Sequence, residues 1–318
     1  MTTRNITTQH TNVQSMRKIP TVTIAVCAYN EAHNIVLFLR SVALQKERGF
    51  SIKEIILISD GSTDATVSLA ENLLIPKLII RVNKSRKGKS LRLNDLYKNL
   101  SSDFLVQTDA DVIFSHPRVV EYMLRPLINN KHVVMCGGNP QPLPAVTFIE
   151  AAINHSTKLF MHFRSLIREG NNVFSADGRM LAYRKEFIQF VRIPKTMIAN
   201  DMYTYFCCKN EKREYRYVKS AVVHYRSPQI IQDHLKQNTR FRAGPVRMNR
   251  YFSSDLVHKE MSIPTAIFLK YYLIYLFKNP LLSIYIVSIN LYCRVNALVT
   301  EKKMLATWNI AGTTKELA

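Results

Sequence analysis

Two carboxylates one residue apart, Asp109 and Asp111, stand directly after the apolar run Phe104-Leu105-Val106. That run reads as a buried strand. Side chains two apart on a strand share a face, so both carboxylates can reach a single ion. Hard oxygen ligands of this kind suit Mg²⁺ or Mn²⁺, and such an ion in turn binds the diphosphate of a nucleotide. Taken alone, the pair is better read as a solvated acidic turn, because so short a motif recurs by chance. A second acidic cluster, Asp60-Gly61-Ser62-Thr63-Asp64, also follows a strand-like run, Glu54 to Ile58. A carboxylate there can accept hydrogen bonds from a base or ribose, or the segment is a tight turn with Asp64 as helix cap. Gly88-Lys89-Ser90 is not a P-loop, since the signature needs glycine where Asn83 stands. Lys87 or Lys89 can still reach a phosphate at the start of the following helix, and a solvated basic loop explains the local sequence equally well. Asp201 can serve as a proton acceptor, or it caps the helix that Met202-Tyr203-Thr204 opens.

The elements that must carry these residues alternate in type. Val22–Ala28, Glu54–Ile58, Leu78–Val82, Phe104–Val106 and His132–Cys136 are apolar, strand-length runs, and helical patterns follow the first four at once. This rhythm predicts an α/β fold with a mostly parallel sheet covered by helices on both faces. In such sheets ligands bind beyond the carboxyl ends of the strands, where Asp60 and Asp109 fall. After Gly138 the rhythm changes: a long helix over 146–167, a loop through Gly178 and Arg179 into a strand, a short helix after Asp201, a strand over 215–225 and a helix over 229–243. His155 and His162 lie seven apart on the long helix, without the spacing of a helical zinc motif. Domain boundaries are expected near 20, 138 and 245: a polar tail over 1–20 without the apolar stretch of a signal peptide, a nucleotide-binding half over 21–138, an acceptor half over 139–245, and an appendage over 246–318.

The chain of 318 residues carries 44 Lys and Arg against 23 Asp and Glu, a formal charge of +21. That excess points to a polyanionic partner, whether nucleic acid, an anionic membrane face or phosphorylated substrates. Five cysteines, none in a CxxC pair, read as reduced thiols rather than a zinc site. From Ile263 two apolar runs, Ile263–Phe277 and Leu281–Cys293, are separated by Lys278-Asn279-Pro280. Each falls short of the ~20 residues that span a bilayer. Five tyrosines beside basic flanks favour membrane contact, as a tilted hairpin or as two helices lying in the interface, over a pair of core helices.

Ala28-Tyr29-Asn30-Glu31, the acidic cluster from Asp60, Gly88-Lys89-Ser90, Asp109-Ala110-Asp111, Asn200-Asp201 and Gln237-Asn238-Thr239-Arg240-Phe241 occur in that order. The series resembles the family 2 inverting glycosyltransferases of GT-A fold, and looks closest to the membrane-associated branch of cellulose, chitin and hyaluronan synthases. The resemblance covers about residues 20–245. It implies that Tyr29, Glu31, Asp60 and Lys89 lie against the nucleotide, with Asp60 on the base. It further implies that Asp111 ligates Mg²⁺ or Mn²⁺ on the diphosphate, that Asp109 contacts the ribose or the same ion, and that Asp201 is the general base. Gln237 and Arg240 would clamp the diphosphate, with Gly178, Arg179 and Phe241 on the acceptor side. The donor implied is a nucleotide-diphosphate sugar, foremost a UDP-sugar, and the acceptor a glycan or lipid-linked hydroxyl. The catalytic domain would face the cytoplasm at a membrane surface. Two positions depart from the family pattern: Asn200 replaces an acidic residue before the base, and Phe241 replaces tryptophan, keeping an aromatic face without the indole donor. The competing readings are a nucleotidyltransferase on a similar core, which needs no Gln-x-x-Arg-aromatic segment, and a basic nucleic-acid-binding protein. No RNA-binding or zinc signature supports the latter, and no nucleic-acid partner is expected.

Overall fold

The computed structural model describes residues 18–305, 307, 312–315 and 317. The tail expected over 1–20 lies, up to residue 17, outside the described residues. The first half alternates as read: β1 (Thr21–Ala28), α1 (Ile35–Ala43), β2 (Ser51–Asp60), α2 (Thr66–Glu71), β3 (Leu78–Asn83), α3 (Lys89–Lys98) and β4 (Phe104–Asp109). A short β5 (Val112–Phe114), α4 (Val119–Asn129) and β6 (Val133–Pro142) follow. The second half holds α5 (Phe148–Leu166), β7 (Met180–Arg184), α6 (Lys185–Ile188), α7 (Asn200–Asn210), β8 (Glu214–Tyr225) and α8 (Ile231–Met248). Helices α9 (Ser254–Met261), α10 (Thr265–Lys278) and α11 (Pro280–Thr300) complete the chain's regular structure.

All eight strands join one sheet in the order β3-β2-β1-β4-β7-β6-β8-β5. The pairings among β3, β2, β1 and β4 are parallel, as the strand-helix rhythm requires. Beyond β4 the expectation of a mostly parallel sheet fails. Strand β7 runs antiparallel to both β4 and β6, β6 and β8 are parallel, and β5 pairs antiparallel with β8. The reason is connectivity. The chain leaves β6 through α5 and a loop and returns beside β6 in the opposite direction, so β7 enters between β4 and β6 in reverse.

Strand alternation divides the core. Ile24 and Val26 face one layer, with Phe38, Leu39, Val106 and Met123. Ala25 faces the other, with Ile58, Leu93, Leu105, Tyr183 and Phe206. Strands buried on both faces explain why β1, β2 and β4 read as continuous apolar runs. Helix α5 begins with a capping box: the Thr147 hydroxyl accepts from the Glu150 amide, and Glu150 returns a bond to the Thr147 amide.

The C-terminal helices differ from expectation in length. The apolar run expected to stop at Cys293 continues, so α11 is 21 residues long. By length and composition Pro280–Lys303 can cross a membrane, although the sequence expectation was of two runs too short to do so. Its packing is two-sided. Ser283, Ile286, Cys293 and Ala297 are buried toward the protein, whereas Ile284, Val287, Leu291, Val295 and Leu298 form an exposed stripe at helical spacing. The two histidines of α5 also belong here: the His155 ring meets the Tyr275 carbonyl and the Ser283 hydroxyl, and His162 stacks on Tyr271.

Candidate active site

The carboxyl ends of β1, β2 and β4 open into a cleft of about 730 Å³. At its donor side two turns are locked together. Asn30 adopts φ +52°, its amide donates to the Ser62 hydroxyl (3.1 Å), and its side-chain oxygen accepts from the Thr63 amide (2.8 Å). The Glu31 amide donates to Thr66 Oγ1 (2.7 Å) and the Ala32 amide to Asp64 (3.0 Å). Tyr29 and Glu31 therefore reach the cleft from a turn that the second acidic cluster fixes. Gly61 is needed for a close approach: at φ +77°, a Cβ there would stand 2.6 Å from the Arg86 amide. That approach folds the 84–88 loop over the end of β2 and lays the Arg86 guanidinium over the Tyr29 ring, 4.1 Å from its centroid.

Asp60 organises this loop. One carboxylate oxygen accepts from the Lys87 amide (3.0 Å) and from Arg92 Nε (2.7 Å), and the other accepts from the Gly88 amide (2.7 Å). Arg92 is thus a site residue that the sequence reading did not single out. Its signal was its position one helical turn after Gly88, within reach of the preceding strand end.

The centre of the cleft is built from opposed charges. Lys89, the first residue of α3, ion-pairs with Asp109. Burial raises the Asp109 carboxyl, but the Lys89 charge and hydrogen bond outweigh it and the net shift is downward. Asp111 moves the other way, pushed up by burial and by the neighbouring Asp109 carboxylate. Asp201 stands in the first turn of α7, whose cap is Ala199, so the capping role considered for it is not the one it has. Its carboxylate accepts from the Gly178 amide (3.1 Å) and the Met202 amide (2.8 Å). Burial and the nearby Asp177 carboxylate raise it above an ordinary aspartate.

Gly178 ties the two acidic groups together. A Cβ there would lie 3.6 Å from Asp201 Oδ2 and 3.8 Å from Asp109 Oδ2. Arg179 pairs with Asp177 (3.1 Å) and lies over the Tyr225 ring at 3.8 Å, its positive charge held by surrounding carboxylates despite burial. Arg240, on α8 and partly buried, lies close enough to Asp201 and Asp109 to feel both charges, and desolvation lowers its pKa. Gln237 and Phe241 line the same cleft, and Phe241 is half exposed. Asn200 accepts a hydrogen bond from the Ser90 hydroxyl (2.9 Å), joining α7 to α3. Every residue that the family resemblance implies for the site therefore lines one cavity, whereas Lys87, the alternative to Lys89, does not. Cys27 also lines it, but burial pushes its thiol up to about 12, which leaves no thiolate for nucleophilic work.

The sequence reading missed the opposite wall. Tyr292, Asn296, Thr300 and Lys303 on and after α11 line the cleft, with Met304, Leu305, Thr307 and Thr314 beyond them. The segment is anchored at two points. Asp233 at the start of α8 accepts from the Thr313 amide and hydroxyl (both 2.9 Å), and Asn34 before α1 accepts from the Leu317 amide (3.1 Å). The available signal was the spacing of Tyr292, Asn296, Thr300 and Lys303, which places all four on one face of a helix.

The sequence profile described as Glycosyl transferase family 2 matches residues 23–191. The chain belongs to that family. Its family is thus one of glycosyl transferases by description. An uncharacterized glycosyltransferase of Haemophilus influenzae is 33% identical over 124 residues, which cover 38% of this chain and 37% of that one. A poly-beta-1,6-N-acetyl-D-glucosamine synthase of Staphylococcus aureus is 32% identical over 122 residues, which cover 38% of this chain and 28% of the synthase. The chain thus spans about a third of the length of the curated relatives it matches. Among solved structures, a mannosyltransferase of Pyrobaculum calidifontis in complex with GDP-Man and Mn²⁺ superposes with a TM-score of 0.64 at 16% identity, over 89% of this chain and 87% of that one. Glucosyl-3-phosphoglycerate synthase of Mycobacterium tuberculosis, in complex with Mn²⁺, UDP and phosphoglyceric acid, gives 0.51 at 18% identity, over 77% and 80%. These likenesses establish the GT-A fold of the glycosyltransferase, a mixed α/β sheet flanked by helices.

Proposed function

We propose that the glycosyltransferase transfers one sugar from a nucleotide-diphosphate donor to an acceptor hydroxyl with inversion, assisted by Mg²⁺ or Mn²⁺. The observation that carries the reading is the arrangement around Gly178. One carboxylate, Asp201, is held by backbone amides on one side, and another, Asp109, is paired with Lys89 on the other. Inversion needs a single base to take the proton of the attacking hydroxyl. A carboxylate raised by partial burial and a neighbouring acid is a stronger base than an ordinary aspartate, and Asp201 has that environment. The departing diphosphate needs positive charge, and Lys89 and Arg240 stand beside Asp109 to supply it.

Asp111, with Asp109, would hold the divalent ion. Two neighbouring carboxylates, one of which raises the other, fit a dication. When bound, the ion supplies charge to the leaving diphosphate. Tyr29, Glu31 and Asp60 would contact the nucleoside, foremost that of a UDP-sugar. Gln237 would join Arg240 on the diphosphate. Gly178, Arg179 and Phe241 would border the acceptor.

We assign the acceptor to a lipid-linked or exported glycan, met at a membrane surface on the cytoplasmic side. The support is α11, whose inner face lines the cleft while its outer stripe is exposed and apolar. Phe268, Leu269, Leu273 and Phe277 of α10 extend the apolar surface. A helix with one face in the catalytic cleft favours lying in the interface over crossing the bilayer. The division into a nucleotide half over 21–138, an acceptor half over 139–245 and a membrane-contacting region over 246–318 follows from the same reading.

The test is the anomeric configuration of the product. With a nucleotide α-glycoside as donor, proton NMR of the product is expected to show the β linkage, and EDTA to stop turnover. An α product overturns the inverting mechanism, and unchanged turnover in EDTA overturns the ion.

A further inference from the structure

A second concave surface lies behind the donor side of the sheet. It is a groove of about 550 Å³ between β3 and α3. Its charge is one-sided: Arg81, Arg92, Lys98 and Arg192 line it, against a single acid, Asp95. Elsewhere in the molecule the cations of such clusters meet carboxylates, as Arg118 and Arg125 meet Glu121, or Arg247 and Arg250 meet Glu301. Here, among the described residues, no carboxylate pairs with Arg81, Lys98 or Arg192. Arg192 donates only to the Gln189 and Val191 carbonyls (2.5 and 2.8 Å).

Arg92 is the built part of the groove. Its side chain is 12% exposed. Nε is committed to Asp60 and Nη2 to the Ser85 carbonyl, both at 2.7 Å. These two bonds fix the guanidinium plane and leave the Nη1 end for the groove. A fixed arginine end, three flanking cations without acidic partners among the described residues and a concave wall are the features that select a compact, multiply charged oxyanion. The planar fork of arginine matches its oxygens, and the wall limits screening by water.

We propose that this groove is a second anion site, distinct from the catalytic cleft, which binds a multiply charged oxyanion of the phosphate class. Because Arg92 also holds Asp60 and the 84–88 loop, an anion there braces the loop from behind. The binding claim does not depend on the glycosyl-transfer reading; only the bracing of a donor-binding loop does.

The experiment is calorimetric titration of inorganic pyrophosphate into the full chain in EDTA, at two salt concentrations. Three proteins are compared: wild type, Arg81→Glu/Lys98→Glu, and Lys89→Ala in the catalytic cleft. The expected result is binding that weakens at least about tenfold in the double variant and survives in Lys89→Ala, with affinity falling as salt rises. Arg81→Gln/Lys98→Gln, which removes charge without reversing it, is expected to fall between wild type and the double reversal. Thermal melting of each variant separates loss of binding from loss of fold. Wild-type affinity in both groove variants, no heat in the wild type, or loss confined to Lys89→Ala overturns the proposal. Donor affinity measured on the same groove variants tests the bracing separately, so failure of the donor reading leaves the pyrophosphate result standing.

Discussion

The two walls of the catalytic cleft are made in opposite ways. The donor wall comes from strand ends and the turns that follow them. Asp60, Lys89 and Asp109 lie within fifty residues of one another; the parallel register of β2, β1 and β4 places the two aspartates, and the start of α3 places Lys89. The far wall comes from α7, α8, α11 and the segment after it, brought in from up to 283 residues away, as in the bond between Leu317 and Asn34. Local backbone geometry dictates the first wall, and long-range packing dictates the second. The donor wall is therefore expected to be sensitive to single charges, and the far wall to the few contacts that hold it closed.

The largest expected effect on binding lies on the donor wall. Asp111→Asn keeps the side-chain shape but removes the charge a dication needs, and Mn²⁺-dependent donor binding is expected to fall at least about a hundredfold. Titration calorimetry with and without Mn²⁺ reads it, and wild-type affinity in the variant removes Asp111 from the ion site. A smaller effect is expected at the junction of the walls. Asp201 is raised by burial first and by Asp177 second. Activity that requires ionised Asp201 is lost as pH falls through a value above that of an ordinary aspartate. Asp177→Asn removes one raising charge and frees Arg179, so the acid limb of kcat is expected to move to lower pH. A limb that stays in place or moves up denies Asp201 its part in the profile. The smallest effect is expected on the far wall. Asp233 is buried, yet the two Thr313 hydrogen bonds hold its carboxyl below its ordinary range. Asp233→Ala is expected to weaken that anchor by about 1–3 kcal/mol. Amide exchange near 312–317 should accelerate while exchange in β1 and β4 stays unchanged. Equal acceleration in both places points to global destabilisation instead.

How far each wall could be read in advance follows the same division. Strands β1, β2 and β4 were legible because burial on both faces leaves continuous apolar runs, and Asp60 and Asp109 fall at their ends as acids do where ligands bind. The reversal of β7 was not legible, since Met180–Arg184 carries no local mark of its neighbours β4 and β6. Asp201 looked like a helix cap because capping and catalysis use the same residue at the same helical end. Only the amide of Gly178, 23 positions earlier, distinguishes them. Arg92 was hidden for a related reason: an arginine inside a helix is ordinary until the strand-end carboxylate beside it is known. The apolar character of α11 drew attention to its outer face, and the polar residues of its inner face passed as interruptions.

The central claim is a division of labour, with Asp109 and Asp111 holding the donor and Asp201 taking the proton. Asp201→Asn tests it most directly, with kcat and donor affinity measured on the same preparation. A loss of about 10²–10⁴ in kcat is expected, with donor affinity within about twofold of wild type because Asp201 carries none of the donor's diphosphate. A parallel loss of donor binding, or turnover that survives the substitution, contradicts it.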